Sequence, residues 1–445
     1  MTLKFGTDGV RGVANLELTP ELVLALGRAA ARVLGGTEVV IGRDTRLSGP
    51  SVQAALSAGF AAEGVTIGDL GVVPTPAVAH LSATEHVPGV MISASHNRFP
   101  DNGIKFFAPG GQKLDDATEA ALETELARLV SDGPLGPPPT GADVGALVSS
   151  PTGVAEYRRH LLADAIGDRR LEGLRVVVDC AQGAACTVAP EVFAALGVDV
   201  VVIGDRPDGT NINEGFGSTA PAQLQRLVVE RSADAGLAFD GDADRLIAVD
   251  AHGDVIDGDH IIAVCAVDLH QRGALRHDTV VVTVMTNLGF RHAMTEHGIT
   301  VAETGVGDRA VLQALHDGGY SLGGEQSGHV IFRELATTGD GLLTGITLLD
   351  VMARSGRPLA ELAAVMSRLP QVLVNVKVHQ RLPDVAAAVA GDIAVCEAEL
   401  GEHGRVLVRS SGTEPVVRVM VEAPTSQQAA SIADQLVAAV GRVAG

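Results

Sequence analysis

Short β-branched runs alternate with longer amphipathic stretches through most of this chain, and that alternation confines it to an α/β architecture. Val39-Val-Ile41 leads into a helical stretch from Ser51 to Glu63, then into Val65 to Ile67 and a helix from Thr75. The unit returns as a strand over 174–179, a helix to Leu196 and a strand over 198–203. It appears again as a strand over 279–284 and a helix over 289–297. Strands separated by helices pair mostly in parallel and require cover on both faces. Thr19-Pro20-Glu21 predicts one helix start in full: a capping hydroxyl, a proline in the first turn and an acid at the positive dipole end. Gly35-Gly36 ends that helix.

The run 133–141, Gly-Pro-Leu-Gly-Pro-Pro-Pro-Thr-Gly, reads as a linker. After Pro370 the pattern changes: residues 371–378 alternate like a half-buried strand, a helix follows, then strands at 405–408 and 416–421 and a helix over 426–440. The expectation is three α/β domains with mixed or parallel sheets, at residues 1–150, 151–256 and 257–369, plus a small α+β domain at 370–445.

Composition narrows the function. Aromatics make up 3% with no Trp, which removes the stacking platforms of a single-strand nucleic-acid binder. The net charge of −21 argues against nucleic acid and anionic membranes as partners. It does not exclude a small anionic substrate, because screening over about 8 Å lets a local arginine cluster govern its own pocket. Cys180, Cys186, Cys265 and Cys396 form no metal or disulfide spacing and read as thiols in a reducing compartment. With no membrane-length apolar run and no signal-peptide core, the expected location is cytoplasmic.

Two stretches carry the chemistry. In Gly89-Val-Met-Ile-Ser-Ala-Ser-His-Asn97 a buried strand breaks into small polar residues, placing Ser95 at a strand's carboxyl end. In Phe239-Asp-Gly-Asp-Ala-Asp-Arg245 the acids Asp240, Asp242 and Asp244 can converge on one hard cation. An EF-hand is excluded, since its glycine position holds Arg245 and its twelfth position Ala251. Carboxylates crowded in this way suit Mg²⁺ with positions left for phosphate oxygens, hence phosphoryl transfer. No P-loop signature occurs. Arg409-Ser-Ser-Gly-Thr413 with Arg418 resembles a phosphate cradle: a guanidinium fork, hydroxyls of Ser410, Ser411 and Thr413, and Gly412 for close backbone approach. Gly323-Gly-Glu-Gln-Ser-Gly-His329 offers Glu325 and Ser327 to sugar hydroxyls or an amine. Lys105 is a candidate general acid/base or phosphate contact. His96 adjoins Ser95, and neighbours on an extended segment face opposite ways, so a Ser–His base pair is not expected; His96 would instead bind phosphate or orient the loop.

Together and in this order, Gly6–Gly12, Met91–Asn97, Asp101–Phe107, Asp240–Arg245, Gly324–His329 and Arg409–Pro415 resemble the α-D-phosphohexomutase superfamily, and the Glu-Gln-Ser-Gly-His form is similar to its glucosamine branch. The resemblance covers the whole chain. It implies domains around a central cleft and a phosphate on Ser95, with one Mg²⁺ held by Ser95, Asp240, Asp242 and Asp244. It further implies transfer between the 6- and 1-positions of glucosamine phosphate through a 1,6-bisphosphate, supplying cell-wall amino sugar. Lys105, Arg245 and His96 would serve catalysis; Glu325, Ser327 and His329 the sugar; Arg409, Ser411, Gly412, Thr413 and Arg418 the non-reacting phosphate. The priming phosphate would come from a hexose 1,6-bisphosphate, from the enzyme itself or from a partner kinase, and a homodimer is among the assemblies open to the chain. The same chemistry on glucose or mannose phosphates is the nearest alternative. A metal-dependent phosphatase would make aspartate the nucleophile, and a non-catalytic relative would have lost Ser95 or an aspartate. Arg98 departs from the proline that many relatives carry after Ser-His-Asn.

Overall fold

The computed structural model describes residues 6, 9–134, 136–379, 382, 384–410 and 415–444. The chain divides into two compact units, one of Met1–Val284 with Ile299–Ala364, the other of Met285–Gly298 with Val365–Gly445.

The first unit contains three sheets. The first is built from β1 (Val10–Val13), β2 (Glu38–Arg43), β3 (Thr66–Val72), β4 (Gly89–Ile92), β5 (Asp101–Phe107) and β6 (Leu147–Ser149), in the order β1-β5-β4-β2-β3-β6. β2, β3, β4 and β6 run parallel, whereas β5 is antiparallel to β4 and to β1. β4 is buried along its length, as a central strand covered on both faces must be. The helix Pro20–Leu34 starts as its sequence dictates, with Thr19 Oγ1 accepting from Leu22 N and Gly35 closing the last turn. It packs on the helix Gly49–Ala61 through glycines: a Cβ on Gly27 would sit 2.3 Å from Leu56 O, and one on Gly59 2.3 Å from Leu24 O. Backbones brought this close leave little volume to fill, and Phe60 and Phe106 join the aliphatic side chains of this core.

The second sheet has the order β11-β10-β9-β7-β8, from β7 (Arg175–Asp179), β8 (Asp199–Ile203), β9 (Ala235–Phe239), β10 (Leu246–Asp250) and β11 (Val255–Ile256). β7, β8 and β9 are parallel, but β9 and β10 form an antiparallel hairpin whose connection is the aspartate loop. The third sheet, β13-β12-β14-β15, uses β12 (Thr279–Thr283), β13 (Thr300–Thr304), β14 (Leu322–Gly324) and β15 (Val330–Phe332). β14 and β15 are antiparallel and enclose the Glu325–His329 loop. The parallel alternation read from the sequence is therefore interrupted at the loops that carry polar chemistry.

The second unit holds an antiparallel sheet, β16-β18-β17, made of β16 (Gln371–Lys377), β17 (Arg405–Ser410) and β18 (Val416–Glu422). Its core joins Val417, Val419 and Val421 to Ile432, Ala433 and Leu436 of the helix Ser426–Ala444. The buried Glu422 carboxylate accepts from Asn287 Nδ2 at 3.1 Å, Leu288 N at 2.9 Å and Arg405 Nε at 2.8 Å, tying the segment 285–298 to this sheet. The cysteines are free thiols. No helix among the described residues is long and apolar enough to cross a membrane.

Candidate active site

Ser95 leaves β4 in a left-handed conformation, φ 51°, at a cost of about 1–2 kcal/mol for a residue with a Cβ. Its hydroxyl is buried and donates to Asp240 Oδ2 at 2.6 Å. The β9–β10 connection turns tightly through Ala243, also left-handed at φ 57°, so that Asp240, Asp242 and Asp244 bring carboxylate oxygens within 4.8 Å of one another. Gly241 permits the meeting of the two loops: a Cβ there would lie 2.6 Å from Ser95 O.

Asp240 is held through both oxygens, Oδ1 accepting from Arg245 N at 3.2 Å, whereas Asp242 and Asp244 are hydrogen-bonded through Oδ2. Asp242 Oδ2 accepts from Thr75 Oγ1 at 2.6 Å and Lys105 Nζ at 2.8 Å, and Lys105 Nζ also reaches Asp244 Oδ2 at 3.2 Å. Asp242 Oδ1 and Asp244 Oδ1 are buried with no hydrogen-bond partner. An orphaned carboxylate oxygen is costly in an interior, and two converging ones fit a hard divalent cation. Burial, then the Asp244 and Asp242 charges, push the Asp240 carboxyl well above the usual range. Burial would do the same to Asp244, but the Lys105 ammonium and His329 outweigh it and hold that carboxyl well below. The cluster is thus short of positive charge, and the donor set fits Mg²⁺.

His96 departs from its expected orientation. Because Ser95 is left-handed rather than extended, the two side chains share a side, with Ser95 Oγ 3.3 Å from His96 Nδ1. The ring is not Ser95's base, however. Arg245 Nη1 lies 3.1 Å from the same Nδ1 and can only donate, while the serine proton is taken by Asp240. Burial, then Arg245 and Arg11, hold the His96 imidazole below its ordinary pKa, and the Arg245 donor at Nδ1 casts that nitrogen as an acceptor.

In the third sheet's loop, Ser327 is exposed and Glu325 half-buried, its Oε1 accepting from Gly307 N at 3.1 Å. His329, expected at the sugar, is buried instead: Nε2 accepts from Gly339 N at 3.0 Å and Nδ1 faces Asp244 Oδ1 at 3.7 Å. Gln326 turns its amide to Asp257 Oδ2 at 3.4 Å. In the second unit, Arg409 and Arg418 are cross-strand partners. Burial and the Arg418 charge lower the Arg409 pKa. Like charges placed opposite each other are destabilising, which an anion would relieve. Ser411, Gly412 and Thr413 lie outside the described residues. Sequence reasoning gave no role to Thr75 or Arg46. The first sits in Pro74-Thr-Pro76 and the second in Gly42-Arg-Asp-Thr-Arg46, both directly after strands where an active-site loop belongs.

A serine against a metal-ready aspartate cluster, on loops between α/β sheets, defines an enzyme of phosphoryl transfer. The sequence matches all the domain descriptions of phosphoglucomutase/phosphomannomutase: alpha/beta/alpha domain I over residues 2–131, II over 155–253, III over 257–369 and the C-terminal domain over 373–439. The chain belongs to this family. It is 54% identical to the phosphoglucosamine mutase of Frankia alni, covering 99% of this chain and 98% of that one. It is likewise 54% identical to the phosphoglucosamine mutase of Thermobifida fusca, with 98% and 97% covered. Among solved structures, a phosphoglucomutase/phosphomannomutase family protein from Burkholderia thailandensis superposes with a TM-score of 0.80 at 26% identity, covering 98% and 97%. The N-acetylphosphoglucosamine mutase of Aspergillus fumigatus, solved with GlcNAc-6P and magnesium, shares the fold with a TM-score of 0.72 at 19% identity, covering 100% and 96%.

Proposed function

We propose that this protein is a cytoplasmic isomerase that interconverts glucosamine 6-phosphate and glucosamine 1-phosphate through a phosphoserine at Ser95. The observation that carries the reading is the 2.6 Å contact of Ser95 Oγ with Asp240 inside the aspartate cluster, on a chain 54% identical to phosphoglucosamine mutases. The sugar's 1-hydroxyl oxygen attacks the phosphoserine phosphorus, and the P–Oγ bond breaks with its electron pair left on Ser95 Oγ. The resulting 1,6-bisphosphate turns about, and its 6-phosphate returns to Ser95 as the C6 oxygen leaves. Asp240, Asp242, Asp244 and an oxygen on Ser95 would hold Mg²⁺, which supplies neutralisation of the phosphoryl charge. Lys105 is the proton-transferring group, Arg245 and His96 orient the reacting end, and Glu325 and Ser327 take the sugar. His329 is assigned to support of Asp244. Loading of Ser95 from a hexose 1,6-bisphosphate accounts for priming without a kinase.

Side-by-side kcat/KM for the 6-phosphates of glucosamine, glucose and mannose, with Mg²⁺ and a bisphosphate primer, tests the substrate. A strong preference for glucosamine is expected, placing the enzyme in amino-sugar supply to the cell wall. Equal or better rates on glucose or mannose would move it to another branch of the family. Arg409 and Arg418 are assigned to the phosphate that does not react. Arg409→Ala should raise KM by about 10–100-fold, the worth of a hydrogen bond to a charged group, with a smaller change in kcat; an unchanged KM would mean the grip lies elsewhere.

A further inference from the structure

The left-handed conformation of Ser95 is imposed from outside the residue, through its carbonyl oxygen. Arg46, 1% exposed, lies beneath the loop. Its Nη2 donates to Ser95 O at 2.9 Å and Asn97 O at 2.8 Å, while Nη1 donates to Asp101 O at 3.0 Å and to Arg98 O. The guanidinium is itself fixed by Asp44, whose Oδ2 accepts from Arg46 Nε at 2.8 Å and from Ser93 Oγ at 2.7 Å. Ser93 Oγ in turn accepts from Ser95 N at 2.9 Å. Both ends of the Ser95 backbone therefore hang on one buried ion pair.

The second grip comes from the neighbouring sheet. Asn213 Nδ2 donates to Ser95 O and to Asn97 O, each at 2.9 Å. Asn213 is left-handed, φ 59°, and its own amide is held by Ala181 O at 2.9 Å. The next residue, Glu214, pairs with Arg98 Nη2 at 2.9 Å. Thr45 Oγ1 donates to Gln182 O at 2.6 Å, and Leu47 N to Gly209 O at 2.8 Å. The loop bearing Ser95 is thus braced by a loop of the sheet that also carries Asp240.

We propose that Arg46 and Asn213 are positioning residues for phosphoryl transfer, clamping the Ser95 carbonyl between them so that Oγ is presented to the aspartate cluster. The proposal rests on the reading of Ser95 as the phosphoryl carrier. A clamp of this kind acts on rate more than on folding. Loss of either donor leaves the Ser95 carbonyl on a single grip, and a displacement of about 1 Å at a reacting atom costs roughly 100-fold. Asn213 suits a test better than Arg46, because it is half-exposed on a loop and its truncation buries no orphaned charge.

The experiment incubates unphosphorylated, Mg²⁺-loaded enzyme with glucosamine 1,6-bisphosphate and follows phosphate uptake at Ser95 by intact-protein mass. Affinity for the bisphosphate and the thermal midpoint are measured alongside. Asn213→Ala should load about 10–100-fold more slowly than the parent, with affinity and midpoint nearly unchanged. Asn213→Asp, which sets a carboxylate against carbonyl oxygens, should be at least as slow. Arg46→Lys, keeping the charge without the fork, should fall between parent and Asn213→Ala. A wild-type loading rate in Asn213→Ala overturns the clamp. So does a loss of bisphosphate affinity matching the loss of rate, since that would be general damage to the site. Failure of the parent enzyme to take up phosphate at Ser95 instead removes the phosphoserine reading, and the clamp with it.

Discussion

Ser95→Ala should lose turnover by about 10⁴-fold or more, the scale on which removal of a covalent nucleophile acts, while retaining affinity for glucosamine 6-phosphate. Ser95 Oγ donates to Asp240 Oδ2 at 2.6 Å, and in the proposed reaction the phosphoryl group resides on it between half-reactions. The substitution removes little else. Alanine bears the same left-handed strain as serine, and the backbone contacts from Arg46 and Asn213 engage the carbonyl rather than the side chain. Metal binding should survive as well, because the converging carboxylates of Asp240, Asp242 and Asp244 are untouched by the substitution. Mn²⁺ binding followed by paramagnetic resonance, beside isotherms for the sugar phosphate, separates these terms. Measurable turnover above about one hundredth of wild type, or lost sugar-phosphate affinity, would sink the assignment of Ser95 as phosphoryl carrier.

The periodic elements of this fold were legible because each is set by local chemistry. The Thr19 cap, Pro20 and Gly35 fix a helix by steric and hydrogen-bond rules that need no tertiary partner. The antiparallel departures were less visible, although one was within reach. Phe239 and Leu246 are joined by residues 240–245, far too few for the crossover that parallel strands need, so the aspartate loop had to be a hairpin. The reasoning about His96 failed because it assumed an extended backbone, and a left-handed serine cannot be read from Ser-Ala-Ser-His. The Glu-Gln-Ser-Gly-His form pointed to the glucosamine branch, as the phosphoglucosamine mutases at 54% identity do, but the contact of the Gln326 amide with Asp257 could not be read from it. The Asp44–Arg46 pair, fully buried, was unreadable for a different reason: sequence shows a charge but not its burial, and charges are normally exposed. Supporting residues of a site are for this reason harder to find than its reacting ones, whose types advertise their chemistry.

Lys105→Met is expected to separate chemistry from metal affinity in one substitution. The ammonium is 1% exposed and lies 2.8 Å from Asp242 Oδ2 and 3.2 Å from Asp244 Oδ2. It therefore neutralises the same carboxylates that a cation would bind. Removing it should cut kcat by about 10²–10⁴-fold, the range of a lost general acid or base, yet leave Mg²⁺ affinity equal or higher because a competing charge is gone. In metal-free protein the variant should melt earlier, with the difference narrowing as Mg²⁺ is added. The acid dependence follows from Asp244, whose folded-state pKa Lys105 helps hold well below the ordinary value. A depressed carboxyl contributes stability that is fully present above its unfolded value of about 3.9. That contribution is lost only as pH falls through the lower folded value. Without Lys105 the folded value rises toward the unfolded one, so acid unfolding of metal-free protein should begin at higher pH. Denaturant midpoints between pH 3 and 6, with and without Mg²⁺, read this directly. Weaker Mg²⁺ binding in Lys105→Met would overturn the account, since it would make the lysine an organiser of the metal site rather than its competitor.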